Sequence, residues 1–230
     1  DPLAWLLRAS SFAQFRRGLV GQAERTMHDA LDAAEALGDR TSMARSWLFL
    51  ARFSIARGEV IEARFRLDAA RTRFERLRDR WGRAEVLAVQ GDLDRVTGDL
   101  DSADARYVEA QAAYAGLGEN DGLFVELGRA MVALRSRRWR QARRCLEALL
   151  TRAAAAQQRD TVARAQVLLL AAHADAEDWE RLADAAEAGL AATQVVHGDL
   201  AEAAAIARSR CPSDGPRARR LEAIADDQRA

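Results

Sequence analysis

Written in rows of forty, the 230-residue sequence falls into near register without gaps, residues 1–40, 41–80, 81–120, 121–160 and 161–200 aligning column by column. Nothing else constrains the fold as strongly. A chain that repeats at such a period builds one small unit many times over and buries its core between successive copies. Turn residues mark the columns. Leu37-Gly38-Asp39 stands over Leu77-Arg78-Asp79, Leu117-Gly118-Glu119, the 157–160 stretch and His197-Gly198-Asp199. Midway along each row lies a second turn, carried by Gly18, Gly58 and Gly98 and, without the glycine, by Arg137-Arg138-Trp139 and Glu177-Asp178-Trp179. Each row therefore holds two segments.

Both segments read as helices. Ala, Leu, Arg and Glu dominate them, apolar residues recur at three- and four-residue steps, and the only prolines are Pro2, Pro212 and Pro216. The first helices are expected over 4–17, 42–57, 82–97, 122–136 and 161–176, and the second over 20–37, 60–77, 100–117, 139–157 and 179–194. The pattern breaks at Cys211–Pro216, where Pro216 suits the first position of a new helix. The expected layout is a repeat array over 1–210, then a turn and a capping helix, the latter over 217–228, within 211–230.

Small residues recur where paired helices must approach closely, at Ala51, Gly91 and Ala130 on first helices and at Ala63, Ala103 and Ala142 on second ones. Leu67, Tyr107 and Leu146 are expected to fill the space between one hairpin and the next. With Trp47, Leu50 and Ala70 in the second row, Leu87 and Ala110 in the third, Leu149 in the fourth, and Ala23, Met27 and Ala30 in the first, these positions resemble the tetratricopeptide repeat. The fifth row keeps Leu182 and Ala186 and has Gly189 where alanine is expected. The resemblance implies an all-α, right-handed α-solenoid of five or so helical hairpins with a C-terminal cap. Departures are the period, longer than the family's usual ~34 residues, the lack of proline after second helices, and polar Gln90 and Asp94 at positions where large residues are common. Such long repeats are also similar to those of bacterial signal-transduction regulators, including maltose-regulator-type ATPases and kinase-linked repeat regions.

Charge narrows the function. Thirty-five basic residues balance thirty-five acidic ones, which removes the bulk attraction toward nucleic acid or a membrane surface. Every basic residue is arginine, so a Walker-type phosphate loop, a Schiff-base enzyme and a kinase's nucleotide lysine are all excluded. Cys145 and Cys211 lack a C-x-x-C partner, and no apolar run has the length of a membrane span, so a reducing cytoplasm is the expected compartment. The start at Asp1-Pro2, without methionine, reads as a piece of a longer protein.

In the family the first helices line a groove, each presenting residues at steps of three and four. Row one offers Trp5, Arg8, Phe12 and Arg16; row two Arg45, Leu48, Arg52 and Ile55; row three Glu85, Ala88, Asp92 and Arg95; row four Phe124, Leu127, Met131 and Arg135. An apolar strip edged by arginine suits a peptide or protein segment with acidic groups beside hydrophobic anchors. On the alternative reading Trp5, Phe12, Leu48 and Leu127 are inter-helix packing and the arginines a solvated face. The family's clamp for carboxyl-terminal peptides needs Lys and Asn, which Phe12 and the absence of Lys do not match. A non-catalytic interaction module, cut from a larger bacterial regulator, is the expected function, with a small-molecule effector sensor as the alternative and self-association through the end repeats left open.

Charge also alternates along the chain. Residues 41–83 hold eleven Arg against five acids, 84–121 two Arg against nine, and 135–144 six Arg with no acid. The last run, Arg135, Arg137, Arg138, Arg140, Arg143 and Arg144, supports a disfavoured third reading as a nucleic-acid contact; mutual attraction of neighbouring repeats explains the alternation more simply. No metal or cofactor is expected. His28, His173 and His197 sit in different repeats, Asp92, Asp94, Asp99 and Asp101 have the wrong spacing for a calcium loop, Cys145 reads as a small packing residue, and Cys211 has no base beside it.

Overall fold

The computed structural model describes residues 2–115, 117, 122–173 and 179–193, together with positions 206, 215, 216, 219, 220 and 223. The described chain is all-α. Its elements are α1 (Pro2–Arg16), α2 (Val20–Ala36), α3 (Arg40–Ala56), α4 (Val60–Leu77), α5 (Arg80–Thr97), α6 (Leu100–Tyr114), α7 (Leu123–Arg135), α8 (Trp139–Ala155), α9 (Arg159–Ala172) and α10 (Trp179–Thr193). Two compact units divide the chain, Asp1–Asp121 and Gly122–Ala230. In the first, α1 pairs with α2, α3 with α4 and α5 with α6, while α2 packs on α3, α4 on α5, and the first helices α1, α3 and α5 lie side by side. In the second, α7 pairs with α8 and α9 with α10, with α9 packed on both α7 and α8. This is the helical-repeat solenoid that the forty-residue register predicted.

Local chemistry explains the helix ends. Asp39 caps α3 by accepting the Ser42 backbone N–H at 3.0 Å and the Ser42 hydroxyl at 2.8 Å; Asp79 accepts from the Gly82 N–H at 2.9 Å, and Asp99 from Ser102 at 3.1 Å. These caps start α3 and α5 at Arg40 and Arg80, two residues earlier than expected. The turns named here share one conformation at the spacing near twenty residues that two turns per row imply. Gly18, Gly38, Gly58 and Gly98 have φ between 66° and 93°, and Arg78, Arg137 and Gln157, in the matching columns, have φ of 53°, 57° and 56°. Glycine enters this left-handed region freely, whereas a residue with a Cβ pays about 1–2 kcal/mol there.

In the first unit, two core clusters each span a hairpin and the helix next to it. Ala23, Met27, Ala30 and Leu31 of α2 meet Leu50 and Phe53 of α3, and Ala44, Leu48 and Ala51 of α3 join Leu67 and Phe74 of α4 and Val86, Val89 and Leu93 of α5. The second unit's core runs from Leu123 through Leu146 to Trp179, whose indole N–H donates to the Leu170 carbonyl at 3.3 Å. Glycines seat aromatic rings at two contacts. A Cβ on Gly91 would lie 2.8 Å from Tyr107 Cε1, so Tyr107 packs inside its own hairpin rather than filling the gap to the next, as expected from sequence. Phe74 plays that bridging part, its ring pressed on Gly82 of the following hairpin. Gly189, where alanine was expected, faces Ala163 at ordinary contact distance and the tip of the Gln166 side chain.

Arginines join the hairpins electrostatically. Arg66, 8% exposed, donates to Glu24 and Glu62, each at 2.7 Å, and to the Leu50 carbonyl at 3.2 Å, while Arg57 reaches the other Glu24 oxygen at 2.6 Å. Burial pushes the Glu24 carboxyl up, but Arg66 and Arg57 outweigh it and hold the group below its ordinary value. In the second unit Arg220 donates to Glu180, Asp184 and Glu187 of α10. The expected turns at 118–119, 177–178 and 197–199, the Cys211–Asp214 break, His197, the Leu182 side chain and most of the 217–228 cap lie outside the described residues.

Candidate ligand pocket on the first unit

Because α1, α3 and α5 run side by side, residues at steps of three and four on each converge on one face. There they enclose an open pocket of about 210 Å³. Helix α1 supplies Trp5, Arg8, Ala9 and Phe12; α3 supplies Arg45 and Phe49; α5 supplies Trp81 and Glu85. The aromatic walls touch one another and carry cations: Phe12 and Phe49 have ring centroids 5.5 Å apart, Arg45 lies 5.6 Å over Trp81, Arg52 5.8 Å over Phe49, and Arg16 5.9 Å over Phe12. Trp5 is 59% exposed, a large apolar surface left open to solvent.

The electrostatics are unevenly resolved. Arg52 pairs with Glu85 at 3.1 Å. Glu85 is nevertheless buried enough that its pKa is raised, the opposing pull of Arg52 and Arg45 being weaker than desolvation. Arg8 is 7% exposed, and its pKa is lowered by burial first and by the like charge of Arg45 second, against a smaller opposing pull from Asp39. Its Nη1, and the Nε of Arg45, are buried without a hydrogen-bond partner.

Of the residues expected on this face, Trp5, Arg8, Phe12, Arg45 and Glu85 line the pocket, and Arg16 and Arg52 stand against its aromatic walls. Leu48 does not. It is 1% exposed in the core between hairpins, Ala88 is likewise buried, and Ile55 packs half-buried on the same core. Asp92 accepts from the Tyr107 hydroxyl at 2.7 Å and lies 3.9 Å from Arg95, so α6 engages it. In the second unit Leu127 and Met131 are 1% and 3% exposed, because α8 and α9 cover α7 on two sides; Phe124 and Arg135 are half-buried. Those two buried side chains, with Leu48, are core and not ligand-facing.

Three lining residues, Ala9, Phe49 and Trp81, escaped the sequence reading. Phe49 neighbours Leu48 in sequence, and one helical position, about 100° of rotation, separates pocket from core. The signal for Trp81 was Asp79: a cap there puts residue 81 inside the first turn of α5, whereas a helix starting at 82 leaves it in the loop.

Elsewhere, Arg137, Arg138, Arg140 and Arg144 are exposed around the α7–α8 turn. Cys145 is exposed on α8, not packed as expected, since it lies beside the stripe formed by Ala142, Leu146 and Leu149. His28 is exposed and His173 lies 3.8 Å from Glu147. Among the described residues no group of three His, Cys, Asp or Glu side chains is placed to hold a metal, and no helix is long and apolar enough to cross a membrane.

No protein-family model matches the sequence, and no curated relative is found for it. Solved structures do resemble it. A Rap protein crystallised in complex with competence and sporulation factor matches with a TM-score of 0.80 at 14% identity, over 100% of this chain and 66% of that one. RapI in its apo form matches at 0.76 and 12%, over 100% of this chain and 84% of that one. A putative kinesin light chain from Podospora anserina, with nearly identical TPR-like repeats, matches at 0.52 and 16%, over 84% and 98%. The fold of this chain is therefore that of the tetratricopeptide-type helical repeats.

Proposed function

We propose that this protein is a non-catalytic interaction module whose first unit takes up a peptide or protein segment bearing apolar and acidic groups. One observation carries the reading: the α1–α3–α5 face combines exposed aromatic surface with guanidiniums in a pocket the size of a single large side chain. Aromatic anchors seated in a pocket dominate the energetics of such contacts, and arginine forks supply orientation toward carboxylates. The likeness to a Rap protein solved with competence and sporulation factor supports a fold suited to this work. On the same reading the chain is part of a cytoplasmic bacterial regulator.

The volume weighs against a small-molecule effector as the whole ligand. Sites that engulf a drug-sized molecule measure about 300–1,000 Å³, and this pocket holds about 210 Å³. One anchoring side chain fits better, with the rest of the segment lying along the helices.

A peptide array of acidic–aromatic sequences, probed with the full chain and read by fluorescence anisotropy, tests the proposal. Trp5→Ala is expected to weaken the best binder by ~2 kcal/mol or more, about thirty-fold, without lowering the melting temperature, because the indole is largely exposed. Peptides that bind the Trp5→Ala and Phe12→Ala variants as well as the parent, or metabolites that stabilise the chain when no peptide does, defeat it.

A further inference from the structure

Two arginines drawn into the packing of the first unit, Arg66 fully and Arg52 in part, are ion-paired. Arg66 has two carboxylates and a carbonyl, and Arg52 has Glu85. Arg8 breaks the pattern. It is as buried as Arg66, yet among the described residues no carboxylate lies within ion-pair distance of it, and its Nη1 has no acceptor. Among the described residues Arg45, beside it in the pocket, has no ion pair and an unpartnered Nε; it lies over the face of Trp81 and acts on Glu85 only through its charge. Arginine is almost never buried unpaired, because desolvating a guanidinium without compensation is costly.

The nearby acids are committed elsewhere. Glu85 is taken by Arg52. Asp39, the acid that acts on Arg8 electrostatically, is held by Ser42 as the cap of α3, and those hydrogen bonds lower its pKa to about 2. Of Arg8, Arg45 and Arg52, gathered around this aromatic-walled pocket, only Arg52 has an ion pair among the described residues, with Glu85.

Resting on the peptide-binding reading above, we infer that Arg8 and Arg45 form a subsite for a single ligand carboxylate, borne by or next to an apolar group that sits between Trp5, Phe49 and Trp81. A planar carboxylate presents two oxygens to two guanidiniums that each have an unanswered donor. Inorganic phosphate would bring further oxygens against indole and phenyl faces, where nothing donates to them. The carboxylate comes from an acidic side chain or from a chain terminus.

N-acetyl-L-phenylalanine, its amide and inorganic phosphate, titrated against the full chain by thermal shift and calorimetry, separate these cases. The acid is expected to bind at least tenfold more tightly than the amide, and phosphate to leave the melting temperature unchanged. Arg8→Met is expected to raise the ligand-free melting temperature, since it removes an uncompensated buried charge, and to erase the preference for acid over amide; Arg45→Gln, half-buried and less demanding of the fold, erases it too. Equal binding of acid and amide, a response to phosphate alone, or an unchanged acid preference in both variants overturns the subsite.

Acetyl-Glu-Phe-amide and acetyl-Gln-Phe with a free terminus then identify the carboxylate's source, as the peptide whose binding falls in Arg8→Met. Peptides that bind the parent and Arg8→Met alike overturn the subsite and leave the peptide reading standing. Failure of every peptide, alongside Arg8-dependent binding of the small acid, overturns the peptide reading and leaves the subsite.

Discussion

Replacing Gly82 by alanine places a methyl group inside another side chain. A Cβ at Gly82 lies 2.1 Å from Phe74 Cδ1, 2.3 Å from Cε1 and 2.6 Å from Cγ. Comfortable carbon–carbon contact is about 3.5–4.0 Å, so the ring must retreat by ~1.5 Å. It has nowhere to go: Phe74 is 0% exposed, in one cluster with Leu67, Val86 and Val89. Overpacking of this kind costs about 1–3 kcal/mol, and removing a helical glycine returns at most ~1 kcal/mol, leaving a net loss of about 1–2 kcal/mol. With an unfolding entropy of ~2.1 cal/mol/K per residue over the first unit, Asp1–Asp121, the melting temperature falls by about 4–8 °C. Circular dichroism melts of Gly82→Ala, Phe74→Leu and the double variant check this. Leucine leaves room for the new methyl, so the double variant should lose at least ~1 kcal/mol less than the sum of the singles. Additive losses, or a Gly82→Ala protein as stable as the parent, refute the claim that Phe74 locks one hairpin to the next through Gly82.

Arg78→Gly and Gln157→Gly relieve left-handed residues at turns and should each stabilise the chain by up to ~1 kcal/mol in urea titration, while Gly58→Ala and Gly98→Ala, at φ of 75° and 93°, should each cost about 1–2 kcal/mol. Glu24→Gln leaves Arg66 buried with Glu62 alone among its carboxylate partners and should cost about 1–3 kcal/mol. Its pH signature follows from the lowered folded pKa: Glu24 contributes stability above its ordinary value of 4.5, and this is lost as pH falls through the lower folded value. Stability curves measured from pH 7 to 3 should therefore be flatter for Glu24→Gln than for the parent, and superimposable slopes would count against the network.

Helix positions were legible because their signals are local. Glycine at turns, aspartate at caps and three-to-four spacing of apolar residues act within one or two helical turns, so most predicted boundaries fell within two residues of those observed, and the larger misses lie where α6 and α9 end early. The pocket was legible only in part. Trp5, Arg8, Phe12 and Arg45 follow from periodicity, but Leu48 and Phe49 are adjacent in sequence, and only the way α3 is rotated between α1 and α5 sends one to the core and the other to the pocket. Leu127 and Met131 fit an exposed stripe as well as a buried one until α8 and α9 are laid against α7.

By itself, then, the sequence determined the all-α repeat architecture, the hairpin pairing and the exclusion of lysine-dependent chemistry, since each rests on residue type and short-range spacing. Tertiary structure decided which charges are answered. Arg66 meets Glu24 across forty-two positions and Arg52 meets Glu85 across thirty-three, while Arg8 meets no carboxylate among the described residues. Thirty-five charges of each sign balance on paper; Coulomb attraction and desolvation act only between groups that packing has brought within a few ångströms, and that packing leaves Arg8 and Arg45 over.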